Sequence, residues 1–258
     1  MGHTDENEPR GRGETAPAML ERVDAILDAL GREEVLTLEQ MSRRIGVPGS
    51  SLHRILQRLV GLGWVERDGF SYRLGLRMRE LGHRMMQLDP RYRVALPLLY
   101  ELRDATGLSV HLSVLSGTES VAVENIWGRG RVPLISGLRH PAHATASGKV
   151  LLAAQCAVDG GDTDLQRLTT ATIGRPDQLR AELERVRESG LATAREELAV
   201  GLASIAVPIG PADEATAALA LSGPVEEMNT DAVVPTLRAT AARIYTAMRH
   251  LATPSTKA

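Results

Sequence analysis

A single cysteine, Cys156, in 258 residues excludes an intramolecular disulfide framework and fits a reducing compartment. Aromatic residues make up 3% of the chain, with one phenylalanine among them, which excludes the ring platforms on which single-stranded nucleic acid is stacked. No apolar run approaches the ~20 residues that cross a bilayer. The first residues are polar and acidic, without the apolar core of a secretory leader. The formal net charge of −2 excludes a general polycation, so any nucleic-acid affinity has to come from local clustering. What remains is a cytoplasmic globular chain. Its 43% apolar content supports a real core, and its length suggests two domains or one large one.

Charge is clustered. Between Glu39 and Glu80 stand eight arginines (Arg43, Arg44, Arg54, Arg58, Arg67, Arg73, Arg77, Arg79) against four acids. In the same stretch Thr37 and Gln40 form a capping box ahead of Met41 to Ile45, and Gly46-Val47-Pro48 turns the chain. Ser50 to Val60 follows, with Leu52, Ile55, Leu56 and Leu59 on one helix face and Ser50, Ser51, His53, Arg54, Gln57 and Arg58 on the other. Two helices, a glycine turn and a basic second helix predict a helix-turn-helix. Asp68-Gly69, between two β-prone runs, predicts a two-residue hairpin with positive φ at both central residues. That hairpin is the wing of a winged helix, and it places Arg67 and Arg73 beside the groove.

In chain order, residues 1–16 read as a disordered arm and Pro17 opens a first helix with Leu20, Val23, Ile26, Leu27 and Leu30 on one face. Leu76 to Leu88 reads as a helix whose Leu81, Met85 and Leu88 form an apolar stripe, suited to a linker and a dimer contact. Arg91 to Ala105 is helical. Strands are expected at Ser109 to Leu115, Val121 to Ile126, Val132 to Ile135, Leu191 to Thr193, Ser204 to Ile209 and Ala217 to Leu221. Helices are expected at Ser147 to Ala157, Pro176 to Ser189 and Asp231 to His250, and a polar loop at 159–163. This plan is α+β: one mainly antiparallel sheet flanked by helices.

Catalytic signatures are sparse. Ala146-Ser147-Gly148-Lys149 lacks the first glycine and the terminal Ser/Thr of a phosphate loop, and no Gly-x-Ser-x-Gly elbow occurs. A hydrolase reading would have to use Ser204 or Ser222 with His143. His140 and His143 lack an evident third metal ligand, and Glu196-Glu197 reads as a loop or strand edge rather than a catalytic acid pair. Small-residue segments at Ala144 to Gly148, Ala199 to Ser204 and Ser222 to Pro224 expose amides and hydroxyls able to hold a small anion. The same composition serves close packing of helix on sheet.

The Ser50-Ser51-Leu52-His53-Arg54-Ile55-Leu56 helix, Leu62-Gly63-Trp64-Val65 and Tyr72-Arg73-Leu74-Gly75 resemble the IclR family of bacterial transcription regulators. So do His143 to Lys149, Gly190 through Glu196-Glu197 to Ile209, and Ser222-Gly223-Pro224; the resemblance covers roughly residues 18–248. It implies a winged helix at 17–75, a linker helix at 76–90, a GAF-like effector-binding domain at 91–252 and a tail at 253–258. It also implies dimers or dimers of dimers, palindromic operators and control by a small metabolite. The effector contacts it implies are Ala146, Ser147, Gly148, Ser204 and Ser222, with His111 and Asn125 added from the neighbouring strands. Ala194, Ser204 and Ala220 depart from the pattern of members that bind small keto-acids, which points to a larger or more apolar organic acid.

The expected protein is a cytoplasmic regulator without catalytic activity, cofactor or metal. Its expected DNA contacts are His53 and Arg54 to base edges, and Ser50, Ser51, Arg58, Arg67 and Arg73 to the backbone. The other readings are a winged helix that binds protein, separable by the steep salt dependence of DNA binding, and the hydrolase above.

Overall fold

A computed structural model describes residues 19–33, 35–130, 138–155 and 165–252. The expected arm with Pro17, the strand at 132–135, the end of the Ser147 helix beyond 155, the loop at 159–163 and the tail lie outside the described residues. The chain divides into compact units at 1–82 and 83–258.

The first unit is a winged helix. Helix α1 (Met19–Arg32) is followed by β1 (Leu36–Thr37), α2 (Leu38–Ile45), α3 (Gly49–Gly61), β2 (Val65–Asp68) and β3 (Ser71–Leu74). The capping box forms: Thr37 Oγ1 accepts from Gln40 N, and the Gln40 side chain accepts from Thr37 N at 2.7 Å. Gly46 closes α2 with φ of 65°, a conformation glycine adopts without strain. Ile26, Leu30, Met41, Leu52, Ile55, Leu56, Leu59, Val65 and Tyr72 share one core. β1 was not expected; it adds a short third strand, pairing Leu36 with Tyr72.

The wing turn is one residue later than expected. Asp68 pairs with Ser71, so Gly69 and Phe70 are the central residues, and only Gly69 has positive φ, at 59°. That is the pattern of a II′ turn, in which glycine takes the first central position and any residue the second. Phe70, the one phenylalanine, therefore sits at the tip and is 85% exposed.

Helix α4 (Leu76–Leu88) spans the boundary at 82, and its Leu81, Met85 and Leu88 are exposed. Asp89 does not simply break it: the Asp89 side chain accepts from Arg91 N and caps α5 (Pro90–Thr106), with Pro90 at its first turn.

The second unit is a six-stranded antiparallel sheet. Its strands are β4 (Ser109–Ser116), β5 (Glu119–Ile126), β6 (Arg139–Pro141), β7 (Ala192–Arg195), β8 (Leu202–Pro208) and β9 (Ala217–Pro224). They run in the order β6-β5-β4-β9-β8-β7. Side-chain alternation divides its two faces by size. Val110, Leu112, Ile205, Val207, Leu219 and Leu221 point to one face, where α5 and α8 (Thr230–Ala252) cover them with Leu99, Leu102, Leu237 and Ile244. Ala192, Ala194, Ala206, Ala218 and Ala220 point to the other, under α6 (Ala146–Ala154) and α7 (Pro176–Ser189). Small residues let α6 approach closely and leave unfilled space beyond it.

Candidate functional site

Two surfaces carry chemistry, one in each unit. In the first, α3 buries Leu52, Ile55, Leu56 and Leu59, which turns Ser50, Arg54, Gln57 and Arg58 to solvent. No side chain caps its N-terminus, so the amides of its first turn and the hydroxyls of Ser50 and Ser51 are together at one end. His53 is hydrogen-bonded to Gln57 at 3.1 Å. Half of the eight arginines of the cluster are ion-paired: Arg43 with Glu39, Arg44 with Glu33, Arg73 with Glu66 and Arg77 with Glu80. Arg67 donates to Gly69 O at 2.8 Å and lies over the Tyr72 ring. Among the described residues Arg54, Arg58, Arg67 and Arg79 have no ion pair, and the first two place uncompensated positive charge on the exposed face of α3.

The second surface is a cavity of about 90 Å³ on the small-residue face of the sheet. His111, Ser113, Ser120, Asn125, Ser147, Ser204 and Ser222 line it, with Trp127 and His140. Five of the seven residues expected there are thus brought together: Ser147, Ser204, Ser222, His111 and Asn125. A β-bulge makes this possible. Ser113 pairs with Ala122 but His111 with Asn125, so the extra residue in β5 shifts parity and turns Ser120, Ala122 and Asn125 to the same face.

Ala146 and Gly148, also expected there, are not among the residues that line the cavity. Ala146 packs in the core with Val150 and Ala206. The Gly148 amide is already bonded to Thr145 Oγ1 at 3.0 Å, the N-cap of α6. A Cβ on Gly148 would stand 2.2 Å from Ala142 O, so this glycine serves close packing. The remaining cradle is the first-turn amide of Ser147 and its hydroxyl, 3.0 Å from Ser120 Oγ.

Within the cavity His111 holds two short hydrogen bonds. Its Nδ1 is 2.6 Å from Asn125 Oδ1 and its Nε2 is 2.6 Å from Ser222 Oγ. Burial lowers its pKa below the ordinary imidazole value; the Asn125 bond opposes this and His140 adds to it. The Ser–His143 pair that the rival hydrolase reading would need does not form: His143 Nε2 is bonded to Gln166 O at 3.0 Å. Sequence reading also missed Ser113, Ser120, Trp127 and His140. The alternation of polar residues on β4 was available as a signal, whereas the bulge in β5 was not.

Behind the cavity, Lys149 is 1% exposed and reaches Glu197 Oε1 at 2.6 Å, Thr193 O at 2.9 Å and Glu182 at 3.6 Å. Glu197 belongs to the β7–β8 connection, whose Leu198 lines the cavity. Glu196, read from sequence with Glu197 as a loop or strand edge, lies in that connection, has φ of 57° and accepts from Gly201 N. Burial raises the Glu197 pKa, Lys149 opposes this, and Glu182 adds to it. Among the described residues no cluster of His, Cys, Asp or Glu is arranged to hold a metal ion.

Comparisons with known proteins find matches in both units. The IclR helix-turn-helix domain family matches residues 19–69, and the bacterial transcriptional regulator IclR C-terminal family matches 88–246. The chain is similar to the HTH-type transcriptional regulator KdgR of Dickeya chrysanthemi, 34% identical over 73% of this chain and 64% of that protein's length. It is also similar to the regulator XynR of Escherichia coli strain K12, 34% identical over 74% of this chain and 79% of that one. Among solved structures, an IclR homolog of Microbacterium hydrocarbonoxydans complexed with 4-hydroxybenzoate covers 90% of this chain. All of that chain is matched, with a TM-score of 0.76 at 27% identity. The Thermotoga maritima IclR, at 24% identity and a TM-score of 0.68 over 88% of this chain and 97% of that one, shares the fold.

Proposed function

The chain belongs to the IclR family of bacterial transcriptional regulators, and from that premise we propose that it binds duplex DNA through α3 under the control of a small organic acid in the cavity. The observation that supports this reading best is that Arg54 and Arg58, on the exposed face of α3, have no ion pair among the described residues, whereas Arg43, Arg44, Arg73 and Arg77 each have one. His53 and Arg54 read base edges; an arginine on guanine contributes ~1–3 kcal/mol of discrimination. Ser50, Ser51, Arg58 and the uncapped first turn of α3 hold phosphates. Arg67 and Arg73, tied into the wing, add charge beside the groove.

The effector is a small organic acid that is more apolar than a two- or three-carbon acid, and a single ring is its upper size. The cavity volume and its wall of Ala122, Leu198, Leu202 and Ala220 support this choice over a larger ligand. The likeness to a protein complexed with 4-hydroxybenzoate supports ring acids as the first class to try. The Ser147 amide and hydroxyl at the start of α6 receive the carboxylate. The protein works in the cytoplasm as a dimer or dimer of dimers on a palindromic operator, with α4 as the linker and contact helix and with no catalytic activity. Residues 17–75, 76–90 and 91–252 are its working parts. The effector acts by favouring one half-site spacing, with a coupling of typically ~1–3 kcal/mol.

A mobility shift on duplexes flanking its own gene, with and without a panel of ring acids, tests this. A specific shift that one acid changes is the expected result. Binding that is insensitive to salt would instead assign the winged helix to a protein partner.

A further inference from the structure

Ser222 Oγ, His111 and Asn125 form a hydrogen-bonded chain across β9, β4 and β5. Its proton order follows from its two ends. The atom of Asn125 facing the ring is the carbonyl oxygen, which only accepts. Nδ1 therefore carries the proton and donates. In a neutral imidazole Nε2 is then bare and accepts, so the Ser222 hydroxyl must donate to it. Burial and the nearby His140 both favour that neutral ring. With its one proton directed at His111, Ser222 turns only lone pairs toward the cavity.

We propose that the Asn125–His111–Ser222 chain makes Ser222 an acceptor toward the cavity and so selects an effector that presents a hydroxyl proton there. The inference rests on the reading of the cavity as the effector site and names which effectors it takes. The two ends of the cavity differ in kind. In the sheet register Ser222 is level with Ser109, whereas Ser120, bonded to Ser147, is level with Leu115, further along β4. The Ser147 end offers donors from the start of α6; the Ser222 end offers an acceptor. A ring acid with a hydroxyl opposite its carboxylate satisfies both. An ether at that position places two acceptors face to face, and an ionised oxygen does so at greater cost.

The same order of groups activates nucleophilic serines in hydrolases. Here Ser222 lies inside a strand paired on both sides, with Ser109 and Ser204, rather than at a turn where adjacent amides are free to stabilise an oxyanion. Recognition, not hydrolysis, is what the position supports.

Two measurements on the full chain decide it. Long-range ¹H–¹⁵N spectra of histidine-labelled protein near pH 7, assigned with His111→Gln, read the tautomer without any ligand. A neutral ring protonated at Nδ1 is expected; protonation at Nε2, or on both nitrogens, overturns the proposal. Calorimetric titration with 4-hydroxybenzoate, 4-methoxybenzoate and benzoate then reads the selection. The hydroxyl compound is expected to bind about tenfold more tightly than the ether, the value of one good hydrogen bond. Equal binding of the two overturns it. Asn125→Asp is expected to charge the ring, turn the Ser222 proton outward and bring the ratio to one or below; an unchanged ratio counts against the chain. If no ring acid binds, the effector class proposed above fails, while the tautomer still decides this inference.

Discussion

Lys149 Nζ stands 2.6 Å from Glu197 Oε1, with the lysine side chain 1% exposed and Glu182 a second carboxylate at 3.6 Å. One buried cation thus stands between two acids of α7 and the β7–β8 connection, and Glu182 is also paired with Arg185 at 2.7 Å. Removing one partner of a buried pair leaves the other charge without compensation. The two single variants should differ. Lys149→Met leaves Glu197 without its cation, near a Glu182 that keeps Arg185, and is expected to cost about 3–5 kcal/mol. Glu197→Gln leaves Lys149 with Glu182 and Thr193 O, and is expected to cost about 1–3 kcal/mol. Urea unfolding of both measures the order; equal losses would contradict it.

The histidines of the cavity set a pH dependence. Burial lowers the pKa of both His111 and His140 from 6.5. Below pH 6.5 the unfolded chain binds protons that the folded chain refuses, so their contribution to stability is full above that pH and is lost as pH falls toward the folded values. Melting temperature should therefore drop between about pH 7 and 5, and His111→Gln should flatten the drop. A variant with the wild-type slope would remove His111 from this account.

Gly148→Ala tests the close approach of α6. The added Cβ meets Ala142 O and Cα at 2.2 and 2.4 Å, which are backbone atoms that cannot turn aside. Overpacking of this kind costs roughly 1–3 kcal/mol or more. Calorimetric melting is expected to show that loss in the second unit; an unchanged melting temperature would mean that α6 is less tightly seated.

Much of the fold was legible because its signals are local. The apolar spacing of Leu52, Ile55, Leu56 and Leu59, the Thr37–Gln40 box and the Asp89-Pro90 boundary each fix an element within a few residues. The wing turn was misplaced by one residue because Asp68-Gly69 and Gly69-Phe70 both satisfy glycine's requirement, and the register Asp68–Ser71 decides between them. The cavity was legible in part. Ser222 and Ser147 stand in small-residue segments, but their neighbours His111, Asn125 and Ser120 come from strands distant in sequence, and a bulge selects which of their side chains turn inward. Lys149 and Glu197 were each visible in sequence; a separation of 48 positions hid that they are partners.

On the DNA face, Arg54 and Arg58 should fail differently. Arg58→Ala is expected to weaken specific and unrelated duplexes alike and to lower the salt slope by about one counterion. Arg54→Ala should lose discrimination, with little change on unrelated DNA. Competition titrations separate the two, and loss of discrimination in Arg58→Ala would exchange their roles.

The most direct test of the regulator is fluorescence anisotropy of the full chain on duplexes flanking its own gene, at several salt concentrations, for wild type and Arg54→Ala. Binding that falls steeply with salt, and a loss of about tenfold or more in Arg54→Ala on the specific duplex alone, is the expected result. Equal specific affinity of the two proteins would contradict the assignment of α3 as the reading helix.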